Sequence, residues 1–327
     1  MPRQSLRHLA VGWFGLAMGA CGLGLVLRSA HTAIGLPAAP GEFVALGALL
    51  LEAALVASYL LRILRHRDAV AAEFRHPATF GLTATFPLSL MLAAGCLAPW
   101  APHAAMALWG LGAALFTGYQ VLALSRWLGG GFDAAQVNGG WLIVVLGGLV
   151  APLAGLPLGM VAASQVLFGI SLVLSPVMVG VLVWRAIAGP PMPEALRPTL
   201  FILLVPPSLA FAFYPAIAGE SPFWTRACFF LAVVLAAALL AYARGCRAWP
   251  FGPAWGAFTF PLDALAQAAL RHAALGTSAF STALAWVALG LAAAAVALVL
   301  GRALGALARG TLCPVPPPPA QPGGGPA

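Results

Sequence analysis

The 327-residue sequence contains no lysine, and all sixteen of its basic residues are arginine. Charge of either sign is scarce at 7% of residues, against 62% apolar and a mean hydropathy of +0.97. A soluble domain carries about a quarter of its residues charged. That class is therefore excluded, and the chain reads as an integral membrane protein. The formal charge of +8 is spread as single guanidinium groups near the ends of apolar segments. No arginine cluster with interleaved aromatics stands in a polar stretch, so a nucleic-acid partner has no support.

Cysteine is also sparse. Cys21, Cys96, Cys228, Cys246 and Cys313 are scattered and never form a CxxC spacing, which argues against a disulfide framework and a zinc site. His8, His31, His66, His76, His103 and His272 all fall near segment ends or in loops. None forms a His-x3-His pair or stands near a Ser and Asp that would complete a triad. No metal, cofactor or enzymatic chemistry is expected. Arg3 and Arg7 before an apolar run resemble a secretory signal, and Cys21 after Gly19-Ala20 faintly resembles a lipoprotein cleavage site. Membrane-length segments continue to the far end of the chain, so an uncleaved first span is the expectation.

What the sequence has in abundance is long apolar runs. A helix needs about 20 apolar residues to cross a hydrocarbon core. Ten runs qualify, near 9–28, 42–64, 79–98, 102–125, 139–156, 158–185, 198–217, 223–243, 253–274 and 279–308. They predict an all-α membrane domain over residues 1–310, followed by a disordered proline- and glycine-rich tail over 311–327. With both ends in the cytoplasm, thirteen arginines fall on the cytoplasmic side, and only Arg28, Arg226 and Arg271 fall opposite. That is a strong positive-inside bias.

The four residues Thr259-Phe260-Pro261-Leu262 occur once more as Thr85-Phe86-Pro87-Leu88, each time in mid-segment. The odd-numbered segments are all interrupted, at Gly15, Pro87, Pro152, Pro206 and Pro261, whereas only Pro176 interrupts an even one. Proline in mid-helix removes a donor and bends the chain, which a membrane tolerates where the backbone lines a cavity or is buried in protein. The pattern predicts five helical hairpins whose bent members form an inner ring around a pore. Phe14, Phe86 and Phe260 share the register before the bend and are candidate gates, because a ring projecting into a narrow pore makes it dewet. Two carboxylates, Glu52 and Asp263, fall inside the segments, and such groups are functional candidates by default; Glu52, on an even outer segment, reads as a structural or interfacial group with proton coupling as its alternative. Asp263 lies about 60° round the helix from Phe260, as a proton-coupling candidate or as a structural partner of the bend. Small-residue runs such as Gly15-x3-Gly19 are packing faces.

Four further stretches carry a resemblance: Gly12-Trp13-Phe14-Gly15, Glu73-Phe74-Arg75-His76-Pro77, Leu196-Arg197-Pro198-Thr199 before Pro206-Pro207, and 255–261 with its Phe-Thr-Phe-Pro. Over residues 9–308 the chain resembles the tellurite-resistance/dicarboxylate transporter family. That family includes TehA-type bacterial proteins, yeast malate and sulfite carriers, and slow-type anion channels of plant guard cells. The resemblance implies ten helices in quasi-fivefold order around a central pore, a homotrimer with one pore per subunit, and Phe260 as the gate, with Phe86 as a companion ring. It implies a multi-pass protein of a bacterial inner membrane, in contact with lipid and passing small inorganic or organic anions. Two departures stand out: Asn138-Gly139-Gly140-Trp141 replaces a Pro-x-Trp pattern, and Asp263 takes a position that is neutral in channel members. The reading is thus an anion channel or uniporter, with a proton-coupled carrier of dicarboxylate, sulfite or tellurite-type oxyanions as the alternative. A membrane-embedded enzyme or assembly subunit stands as a remote third reading. With no arginine at mid-depth in an odd segment, weak anion binding is expected, and the carbonyls that the prolines free need compensation.

Overall fold

The computed structural model describes residues 5–276 and 278–313; Arg3 and residues 314–327, with most of the predicted tail, lie outside them. The described residues are helical, with no strand among them. The apolar segments are α1 (Val11–Ile34), α2 (Ala39–Arg65), α3 (Pro77–Leu97), α4 (Pro102–Leu128), α5 (Gly139–Gly155), α6 (Val161–Ala188), α7 (Glu194–Ala218), α8 (Phe223–Ala248), α9 (253–275) and α10 (Ala279–Ala308). Eight of these are long and apolar enough to cross a membrane; α5 is shorter, and α9, which carries Asp263 and Arg271, falls outside the eight.

Each odd segment packs on the even one that follows it, so the chain is five helical hairpins. The odd members also touch one another in a closed order, α1 with α3, α3 with α5, α5 with α7, α7 with α9, and α9 back to α1. Burial separates the two kinds. In α1, α3 and α7, between 61% and 89% of the apolar window is buried, against 22–39% in the even segments. The even segments instead expose large apolar side chains such as Phe43, Leu50, Val173, Ile187, Phe230 and Leu304, as a surface in contact with lipid tails does.

The interruptions are more than bends. Every odd segment contains a 3₁₀ stretch that gives way to α-helix at Phe14, Thr85, Ala151, Val205 or Thr259. Pro87, Pro152, Pro206 and Pro261 each sit at the second or third residue of the α part. There the missing N–H costs least, because the first-turn donors of an α-helix lack α-helical partners in any case. The prolines thus start a helix anew rather than kink a continuous one. The 3₁₀ run in α7, Glu194–Leu204, is 11 residues long, although such runs seldom exceed about four residues.

Glycines let the inner ring close tightly. A Cβ on Gly256 would stand 2.9 Å from the backbone of Gly15, so α1 and α9 meet backbone to backbone. At the start of α5, Asn138 caps the helix by accepting from the Gly140 N–H at 2.9 Å, and its amide donates to the carbonyls of Gln136 and Ala78. The Asn-Gly-Gly-Trp departure is therefore a cap that also ties α5 to α3. A nine-residue helix, Arg67–Arg75, occupies the arginine-rich break after α2. Arg7 pairs with Asp68 on it and holds that carboxyl below its ordinary range. Glu73 accepts from Arg62 and, at 2.7 Å, from the Val11 N–H at the start of α1.

Candidate functional site

Three cavities follow one another along the inner ring. The central one, about 30 Å³, is walled by all five odd segments. Its wall residues recur at a spacing of three: Gly12, Gly15 and Met18 on α1, Leu82 and Thr85 on α3, Ile143 and Leu146 on α5, Ile202 and Val205 on α7, and Pro253 and Gly256 on α9. In a 3₁₀-helix, residues i and i+3 eclipse. The 3₁₀ stretches of α3, α7 and α9 thus set such residues in a straight row up to the junction, whereas on α1 only Gly12 lies in 3₁₀ and Gly15 and Met18 follow in α-helix; the wall residues are small or apolar in every segment. Phe260 and Pro261 complete the wall.

Below the centre, a cavity of about 170 Å³ shares Gly12, Leu82 and Pro253 with it and reaches Glu73 and Leu196. Above it, a cavity of about 370 Å³ is lined by the far halves of α1, α5, α7 and α9, including Pro152, Gln267 and Arg271. The two end cavities are thus larger than the central one beside Phe260, and the far cavity shares no lining residue with it.

Phe260 is 3% exposed, and Gly22 of α1 stands directly behind it. A Cβ on Gly22 would lie 2.9 Å from the Phe260 ring and 2.6 Å from a carboxylate oxygen of Asp263. Asp263 is 1% exposed, and neither of its oxygens has a hydrogen-bond partner. Glu52 lies on α2, with one oxygen accepting from Ser89 Oγ at 2.9 Å and the other without a partner. Both carboxylates are thus buried, and neither is among the residues of the cavity walls.

Phe14 and Phe86 depart from the expected ring of gates. Phe14 packs edge-on against Phe86, at 4.8 Å between ring centres, and against Tyr59 of α2 at 5.7 Å; neither ring is part of the central wall. The reason is register. On α1 and α3 the row runs through Gly15 and Thr85, one residue away from each phenylalanine, and one residue turns a helix by about 100°. Among the five bend residues, Gly15 and Pro261 stand on the central wall and Pro152 on the far cavity, while Pro87 and Pro206 stand on neither.

The threonine of the repeated motif has a role that sequence reading passed over. Thr85 Oγ donates to the Leu82 carbonyl at 2.7 Å with the Val11 carbonyl 3.3 Å away, and Thr259 Oγ does the same to Gly256 at 2.7 Å beside Gly15 at 3.3 Å. Each hydroxyl thus satisfies its own donor on the carbonyl three residues back, at the point where 3₁₀ gives way to α-helix and where α1 passes close by.

Residues 8–307 match the model of the SLAC1 family, described as voltage-dependent anion channel. The chain belongs to this family. Among curated relatives, it is 26% identical to the S-type anion channel SLAH2 of Arabidopsis thaliana over 77% of this chain and 49% of that protein. It is 26% identical to S-type anion channel SLAH3 from the same plant, over 66% of this chain and 34% of the relative. The guard cell S-type anion channel SLAC1 is 23% identical over 66% and 40%. The chain spans at most about half the length of these plant relatives. The SLAC1 family model and the all-helical, apolar build agree with the resemblance read from the Phe-Pro and His-Pro stretches.

Proposed function

We propose that the chain is an anion pore, closed at Phe260, through which small anions pass along the axis of α1, α3, α5, α7 and α9. The observation that carries this reading is a cavity walled by all five odd segments and by Phe260, with larger cavities lined by the same inner segments towards either end. The wall is apolar, so an anion gains little there to replace its water, and ions that dehydrate easily are favoured. In this reading all ten segments cross the bilayer of a bacterial inner membrane, both chain ends are cytoplasmic, and each subunit of a trimer has its own pore. Phe260→Ala removes the ring and enlarges the central cavity. Anion current through the protein in planar bilayers is expected to rise at least severalfold, and an unchanged current would remove Phe260 from the gate.

One observation favours a second reading, a proton-coupled carrier of small oxyanions. Asp263 is buried beside Phe260 with no donor on either oxygen, and an unpaired carboxyl at such depth is costly unless it serves transport. In a carrier, Asp263→Asn abolishes the dependence of anion uptake on an imposed pH gradient in proteoliposomes. Uptake that keeps its full dependence in that variant rejects the carrier.

A further inference from the structure

The far cavity holds one charged side chain and no carboxylate: of the residues lining it, only Arg271 carries a charge. Arg271 makes no salt bridge among the described residues, and its Nε is buried without a hydrogen-bond partner. Gln267, one turn earlier on α9, lines the same cavity with its Oε1 also buried and unpartnered. A cationic donor without a partner, Arg271 Nε, and an acceptor without one, Gln267 Oε1, therefore border about 370 Å³ of space.

Their position ties them to the pore. From Phe260 to Arg271 is eleven residues, close to three turns, which places Arg271 on the same face of α9 and about 16 Å further along. Gln267, seven residues from Phe260, falls on that face too. On α1 the central wall ends at Met18, and Ser29 and Thr32, three to four turns on, line the far cavity. On α7, Val205 and Ala212 repeat the relation. The far cavity is thus the mouth of the same path, with its cation on the axis-facing stripe. A topological arginine at a membrane boundary needs no such register.

We propose that Arg271 and Gln267 form an anion-binding site in the far vestibule, which concentrates planar oxyanions such as nitrate or carboxylates ahead of the gate. This rests on the pore reading above. The guanidinium fork matches a planar oxyanion with two parallel hydrogen bonds. Gln267 can add a third contact through its Nε2 N–H, the donor end of its amide. Ser29 and Thr32 contribute less, because their hydroxyls already donate to backbone carbonyls.

The test is direct binding of nitrate to the whole protein purified in detergent, read as the nitrate-dependent rise in unfolding temperature at constant ionic strength with gluconate as balance. Wild type is expected to show a saturable rise. Arg271→Gln should weaken the half-saturating concentration by about tenfold or more, the scale of a lost charge-assisted contact. Arg271→Lys keeps the charge without the fork and should lose nitrate binding more than chloride binding. Equal nitrate affinity in wild type and Arg271→Gln overturns the site. If Arg271→Gln does not fold, Gln267→Ala decides: a several-fold weakening supports the site, and an unchanged midpoint overturns it. Anion current through the Phe260→Ala variant separates the two readings. Binding that depends on Arg271 with no current in that variant rejects the pore and keeps the site, whereas current without such binding rejects the site alone.

Discussion

Gly22 is the residue on which the centre of the molecule turns, because it leaves room for both the Phe260 ring and the Asp263 carboxyl. Gly22→Ala places a methyl 2.6 to 2.9 Å from the ends of two side chains, which can swing away where a backbone cannot. The ring moves away from α1, towards the axis that it already borders. Anion current is expected to fall in Gly22→Ala and to be insensitive to the same change in a Phe260→Ala background, which bilayer recordings of the four proteins resolve. At this scale the sequence was partly legible. The Thr-Phe-Pro-Leu repeat marks both junctions, but identical letters do not give identical orientation: Phe260 stands on the wall, whereas Thr85 takes the corresponding place on α3. A one-residue offset is invisible in a four-letter motif. Arg271 was visible as a charge, yet its alignment with Phe260 and Gln267 on one face emerges only when α9 is counted as a helix bordering a cavity.

At the scale of elements, the contact between α1 and α9 is made by backbones. A Cβ on Gly256 has no mobile atom to push, only the Cα and carbonyl carbon of Gly15, so the two segments must part. Gly256→Ala is expected to destabilise the protein by about 1–3 kcal/mol, as overpacking does, and to lower its unfolding temperature in detergent. Gly290→Ala, in α10 with nothing within 4 Å of the added methyl, serves as the control and should be neutral or stabilising by up to about 1 kcal/mol. The odd and even division of the segments could be read from proline alone, since mid-segment proline is costly wherever it cannot begin a new α-helix. The 3₁₀ geometry could not. At Thr85 and Thr259 it is accompanied by hydroxyls that donate to the carbonyl three residues back, and elsewhere by glycines placed where two segments meet. Neither changes the apolar periodicity from which segments are found.

For the whole molecule, hydropathy located the ten segments and their order, while the ring itself was legible only as five interruptions at one level. Closure needs α9 against α1, the two odd segments furthest apart in sequence, and no periodicity encodes that pairing. The closed order has an implication for connectivity. The Ser5 N–H lies 3.5 Å from the Cys313 carbonyl, so the two ends of the described chain meet beside the ring. Five hairpins in a circle have no structural first member. Joining those ends with a short flexible linker and cutting between Gly130 and Gly131, exposed residues of positive φ in the loop after α4, should yield a circular permutant that inserts and conducts like the parent, because new ends are tolerated at exposed loop tips. Loss of anion current in a permutant that still inserts would mean that the order in which hairpins enter the bilayer, as well as their final circle, determines the pore.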